Sequence, residues 1–451
     1  MVAATQVRCT AAGLLALLVL VLGERGAAAG SVSCEPDLNW VLPNGIEVSL
    51  VADASLPGAA VVLAVDAGKR DDPLGYAGLA HFVEHLTARA RPPFASASDL
   101  YTEAGAWLVD SSVSRDRTVY RAVFPAAQLE RALWIESRRL AVGLDLLGES
   151  DAAAERAALL REHDAEQVEP FRTAEQVVRQ ALFGAGHPYA ASDATPESLE
   201  RLTLEDARRF FAAYYGPGHA RLAVVGGFDV EHAKRLVLRY FGALKGTSGN
   251  GATSRLSANS SCTNPFVGQA RPARFAARTR RVNEMLMLRW PVLTAENVEE
   301  SDSLFRVLTR RLSEALLESQ IGDISRFGLV QLELGSYWAL DIDVIPGKPF
   351  LMVERVFKSI LKELVESPPE QASLTALQQS RELSRHLDEE YALFRAGSLV
   401  QRCEPRACKA AGAPLTPAAF GKIHRFSIAQ AVILESQHDV NAPDQGSVVP
   451  Q

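Results

Sequence analysis

The segment Gly78-Leu79-Ala80-His81-Phe82-Val83-Glu84-His85-Leu86 carries side chains that could hold and use a metal ion. Its pattern is H-x-x-E-H. On a helix, residues four apart stand one turn apart on the same face, so His81 and His85 would offer both imidazoles to one point. Two such nitrogens at about 2.0–2.1 Å suit Zn²⁺. Glu84 borders that face, placed to take a proton from a water polarised by the metal rather than to bind the metal. The chain has nine His in 451 residues. At ~0.02 per site for His and ~0.07 for Glu, chance would supply this motif in roughly 1% of such chains. The bland alternative is a surface helix with two solvated imidazoles.

A catalytic zinc wants three protein ligands and one open position. Ala154-Glu155-Arg156-Ala157-Ala158-Leu159-Leu160-Arg161-Glu162-His163 is a good helix former. Glu155 and Glu162 lie two turns apart on one face. Glu162 could ligate while Glu155 orients a ligand from behind. By residue type alone, Glu162, His163 and Glu166 are comparable candidates, and a Glu/Arg-rich helix is often only a solvated face.

The elements that must position these side chains show a repeat. The β-rich run Thr118–Phe124 meets Pro125, and a helical segment follows (AAQLERALWIESRRLA). Later, Tyr337–Ile345 meets Pro346, and a second helical segment follows (FLMVERVFKSILKELV). Each half continues into another helical stretch, 151–168 and 371–399. The two prolines are 221 residues apart, which suggests a duplicated α+β unit. A Gly/Ser/Thr/Asn/Pro-rich stretch, 246–273, reads as a linker between domains at 35–245 and 274–435, with a tail at 436–451. Shifting His81 and His85 by the same offset gives Asp302 and Arg306, so no metal site is expected in the second half.

Composition narrows the classes. The 47 Lys+Arg against 54 Asp+Glu give a net charge of −7, without a basic block. A nucleic-acid partner is therefore not expected. Hydrophobic content of 47% is normal for a folded chain. Residues 1–29 read as a secretory signal: Arg8, the apolar run Ala11–Leu22, then Ala27-Ala28-Ala29 before Gly30. The run is short for a permanent membrane anchor, and none is expected. An exported chain, periplasmic or secreted, would keep Cys34, Cys262, Cys403 and Cys408. Cys403 with Cys408 is the expected local bridge, leaving Cys34 with Cys262; buried free thiols are the alternative.

These residues resemble the pitrilysin/insulinase family of zinc peptidases, the inverzincins. That family's pattern is H-x-x-E-H, then 76 residues, then the ligand Glu. Here residues 86–161 separate His85 from Glu162, and Glu155 matches the family's Glu seven residues before the ligand. Leu42–Val48 resembles its opening strand, Asp66–Arg70 the approach to the zinc helix, and Ser114–Tyr120 the segment after its substrate-binding edge strand. Tyr214–His219 with Leu222–Gly227 resembles the end of its first domain, and Gly335–Leu399 its second. Asp110-Ser111 stands where the edge strand commonly reads Asn-Ala. Ala88–Pro93 replaces a common Gly-Thr.

The resemblance implies an α+β fold of two related domains, each a mostly antiparallel sheet packed with helices, forming one half of a closed chamber. It implies one Zn²⁺ per chain on His81, His85 and Glu162, with Glu84 as general base and Glu155 in support. The activity would be endopeptidase cleavage of peptides or unfolded polypeptides that add a strand to a sheet edge. The chain would work as a homodimer or as a heterodimer with a related subunit. Active members present an Arg/Tyr pair from the second domain, for which Arg326 and Tyr337 are the nearest residues. The family also contains non-catalytic assembly subunits, so a scaffold, or a catalytic subunit silent without its partner, is the alternative.

Overall fold

The structure, a computed structural model, describes residues 36–88, 95–167, 171–184, 186–245, 274–279, 284–291, 298–330, 332–333, 337–370, 374–375, 392–400, 430–436 and 449–450. The expected signal, the linker and all five cysteines lie outside them. All described residues belong to one unit, Glu35–Gln451.

Two six-stranded sheets organise it. The first is built from β1 (Leu38–Val41), β2 (Glu47–Ala52), β3 (Gly58–Val65), β4 (Leu108–Val113), β5 (Thr118–Pro125) and β6 (Ala220–Gly226), in the order β1-β2-β6-β3-β5-β4. The second contains β7 (Arg274–Thr279), β8 (Met285–Pro291), β9 (Gly322–Val330), β10 (Tyr337–Val344), β11 (Gln430–Ser436) and β12 (Val449–Pro450), in the order β12-β7-β11-β8-β10-β9. The orders correspond strand for strand from β2/β7 to β4/β9. Each sheet has one parallel pair, β2 with β6 and β7 with β11, and every other pair is antiparallel. The sequence repeat is thus a repeat of topology. The expected opening strand differs in detail: Leu42–Ile46 is the turn between β1 and β2, closed by the Leu42 amide on the Ile46 carbonyl at 2.8 Å.

Helices cover both faces of the first sheet. They are α1 (Leu79–Ala88), α2 (Ala97–Glu103), α3 (Leu129–Val142), α4 (Glu149–Gln167), α5 (Phe171–Phe183), α6 (Pro196–Glu200), α7 (Leu204–Tyr214) and α8 (Val230–Phe241), followed in the second half by α9 (Val298–Ser319), α10 (Phe350–Glu366) and α11 (Ala392–Leu399). β3 (GAAVVLAV) is buried along its whole length, as an unbroken apolar run predicts for a strand covered on both sides. Its period of two divides the packing. Val61, Leu63 and Val65 join the core formed with α1, α3, α7 and α8. Ala60, Val62 and Ala64 face Ala396 and Val400 of the α11 segment.

The halves exchange helices. α11, from the second half, lies on β3 and β6, and Arg395 pairs with Asp53 at 2.7 Å. In return, Leu182 and Phe183 of α5 pack with Tyr337 and Ala339 of the second sheet. Glu175 on α5 accepts hydrogen bonds from Arg289 at 2.7 Å and Tyr337 at 2.8 Å. Glu333, in the loop before β10, reaches Arg70 at 2.8 Å and Arg117 at 3.2 Å. Asp116 accepts from the Glu333 amide at 2.9 Å. Asp116 and Arg117 thus hold the two halves together.

Candidate active site

α1 is fixed by its ends and by its apolar face. Phe82, Val83 and Leu86 are wholly buried in the first core, each side chain contributing about 1.5–3 kcal/mol by leaving water. Asp72 accepts hydrogen bonds from the amides of Gly78 at 2.8 Å and Ala80 at 2.7 Å, satisfying donors that a helix start leaves open. Gly78 has φ 98°, a conformation that costs a side chain little only when there is none. A Cβ there would also meet Leu199 Cδ2 at 2.6 Å.

With that face committed to the core, His81 and His85 stand partly exposed beside α4. Their rings are 4.8 Å apart and nearly perpendicular, at 81°. One Glu162 oxygen lies 3.6 Å from His81 Nε2 and the other 3.2 Å from His85 Nε2. A Glu84 oxygen lies 3.8 Å and 3.9 Å from the same two nitrogens. Glu155, buried on α4, holds His85 Nδ1 at 3.2 Å, which turns Nε2 toward the gap. His163, next to Glu162, is buried and within electrostatic reach of Glu197. The Glu166 side chain lies outside the described residues.

The donor set fits a zinc ion. Four ligands at about 2.0–2.1 Å in a tetrahedron sit roughly 3.3 Å from one another. One Glu162 oxygen, 3.2 Å from His85 Nε2, is close to that value, and the other lies 3.6 Å from His81 Nε2. Burial pushes the Glu84 carboxyl above the ordinary carboxylate range and the Glu162 charge adds to this, while a Ser111 hydrogen bond, His85 and Arg139 pull it back.

These groups line a cavity of about 500 Å³, bounded also by Lys69, Tyr120, Arg121, Arg139 and the whole middle of β4. β4 is an edge strand, paired only with β5 among the described residues. The Ser114 amide bonds the Arg117 carbonyl across the ladder at 2.8 Å. Alternation from that pair turns the amides of Val109, Ser111 and Val113 away from β5, toward open space.

Arg326 and Tyr337 do not line this cavity. Both reach Glu175 instead, at 3.3 Å and 2.8 Å, because Tyr337 is buried where the second sheet meets α5. Arg139 went unassigned in the sequence, although a Glu136/Arg139 pair on the apolar side of α3, among Ala132, Leu133 and Leu140, was its signal.

Residues 47–190 match the family model described as insulinase (peptidase family M16), and residues 201–381 match that described as peptidase M16 inactive domain. The chain belongs to the M16 family. M16 relatives include the mitochondrial-processing peptidase subunit beta of Blastocladiella emersonii, 28% identical over 270 residues, 56% of this chain and 54% of that protein. They also include the zinc protease PqqE of Helicobacter pylori, 26% identical over 51% of this chain and 53% of that one. The chain spans about half the length of the curated M16 relatives it matches. The solved structure of a protease from Helicobacter pylori shares the fold with TM-score 0.73 and 17% identity, over 89% of this chain and 99% of that one. The periplasmic protease PqqL from Escherichia coli does so with TM-score 0.68 and 17% identity, over 89% of this chain and 47% of that one.

Proposed function

We propose that this M16 chain is a zinc-dependent metalloendopeptidase acting on peptides or unfolded polypeptides. One observation carries the reading. Two imidazole nitrogens and a carboxylate from separate helices meet at 3.2–3.6 Å, with a second, buried carboxylate alongside, next to a sheet edge unpaired among the described residues.

His81, His85 and Glu162 would hold one Zn²⁺, with Glu155 fixing the His85 ring. Bound zinc supplies Lewis acidity toward a water and a peptide carbonyl. Glu84 takes the proton of the attacking water and returns it to the leaving amine. β4 receives the substrate as an added strand, its outward amides and carbonyls giving affinity and the cavity giving selectivity. Every described residue lining the cavity comes from the first half. The opposing wall then falls to a second chain, which supports a homodimer or a heterodimer with a related subunit. The same observation favours, as the second reading, a subunit silent until its partner arrives.

Residues 1–29 and the likeness to a periplasmic protease support export; the mitochondrial relatives point to a different compartment. No helix among the described residues is long and apolar enough to cross a membrane.

The test is metal analysis of the purified protein with a peptide-cleavage assay. The parent should carry one zinc per chain and cleave. Glu84→Gln should keep the zinc and lose turnover by at least about 10²-fold. Cleavage by Glu84→Gln at the parent's rate would refute the assignment.

A further inference from the structure

The cavity is lined by a cation that makes no hydrogen bond to the proposed metal ligands among the described residues. Arg139 is buried at 5% exposure and lines the cavity. Its Nη1 donates to the Thr87 carbonyl at 3.0 Å. Thr87 lies in the last turn of α1, just beyond Glu84 and His85. A guanidinium on a helix carbonyl adds a charge-assisted hydrogen bond that anchors the backbone at that point.

The rest of the guanidinium is equally constrained. Nε and Nη2 donate to the two Glu136 oxygens at 2.9 Å and 3.1 Å, and the Tyr120 ring lies 4.1 Å away, face on. Glu136 also accepts from the Tyr101 hydroxyl at 2.9 Å. Tyr101 belongs to α2, whose Ala97 and Ser98 line the same cavity. One buried pair on α3 therefore grips α1 and α2, two of the helices that line the cavity. Stability alone does not demand such a pair, because apolar replacements of buried ion pairs are often neutral or better.

We infer that Arg139, held by Glu136, is a positioning residue that fixes the last turn of α1 and with it the stance of Glu84 and His85. The inference rests on the metallopeptidase reading above.

Three forms separate it from a packing role. Arg139→Lys keeps the charge and loses the fork. Arg139→Met with Glu136→Gln removes both charges together, leaving neither one buried alone. The readouts are zinc affinity by chelator competition, kcat and KM well below the thermal transition, and amide exchange across residues 79–88. Loss of an outer partner of a metal site costs roughly 10–100-fold in affinity or activity. The double variant should lose that much in zinc affinity or kcat with KM within about threefold, exchange faster in the last turn of α1, and be partly rescued in Arg139→Lys. Zinc affinity, kcat and exchange all within twofold of the parent in folded protein would overturn the inference. A parent that binds zinc but cleaves nothing would count against the peptidase reading, while the affinity and exchange readouts would still decide the role of Arg139.

Discussion

Glu175 offers a quantitative test of how the halves are joined. Its carboxylate lies between Arg289, Arg326 and the Tyr337 hydroxyl at 2.7, 3.3 and 2.8 Å. Burial alone would raise its pKa, but the Arg289 and Arg326 charges overcome that and hold it down from 4.5 to about 2. At 1.36 kcal/mol per unit, such a depression is worth about 3 kcal/mol. The sign follows from proton counting. Between pH 4.5 and about 2 the unfolded chain binds the proton and the folded one does not. The stabilisation is therefore complete above pH 4.5 and drains away as pH falls toward 2. Glu175→Gln keeps the shape and removes the charge, leaving wholly buried Arg289 with Asp341 alone. Urea unfolding of parent and variant should differ by about 3 kcal/mol at pH 7, and the gap should shrink to under half that by pH 3. A gap below about 0.5 kcal/mol at pH 7, or one unchanged between pH 7 and pH 3, would refute the reasoning.

Further outcomes follow from the same contacts. Glu155→Gln should weaken zinc binding roughly 10–100-fold in chelator titrations, because the His85 Nδ1 contact at 3.2 Å loses its charge. Val109→Pro removes an outward amide of β4 without touching the ladder to β5; kcat/KM for peptides should fall about tenfold, the worth of one hydrogen bond, with little change in Tm. Ala396→Asp puts a charge between α11 and the first sheet, where Ala396 is 0% exposed. It should cost several kcal/mol and lower the unfolding midpoint of the whole chain.

Short-range pattern carried much of this. H-x-x-E-H marked α1 because a metal needs two imidazoles one turn apart, and the seven-residue step from Glu155 to Glu162 put both on the face of α4 that meets α1. The strand-Pro-helix repeat appears as β5–α3 and β10–α10, since a proline ends a ladder and tolerates a helix start. The choice of Glu162 over His163 and Glu166 needed the family spacing, because residue types alone left them equal. What the pattern could not show is non-local. The apolar run of β3 announces two covered faces but not that α11, more than 300 residues later, covers one of them. Arg289 and Asp341 sit in strands as charges that alternation would send to solvent; they pair with each other, and the second carboxylate on Arg289, that of Glu175, lies 114 residues away on a helix of the other half. Arg326 and Tyr337, the nearest residues to the family's Arg/Tyr pair, belong to that same cluster.

The most direct measurement is anomalous diffraction at the zinc edge from zinc-loaded crystals. The account predicts a single peak per chain within about 2.0–2.2 Å of His81 Nε2, His85 Nε2 and a Glu162 oxygen. Zinc bound elsewhere, or bound by the imidazoles with Glu162 turned away, would contradict it.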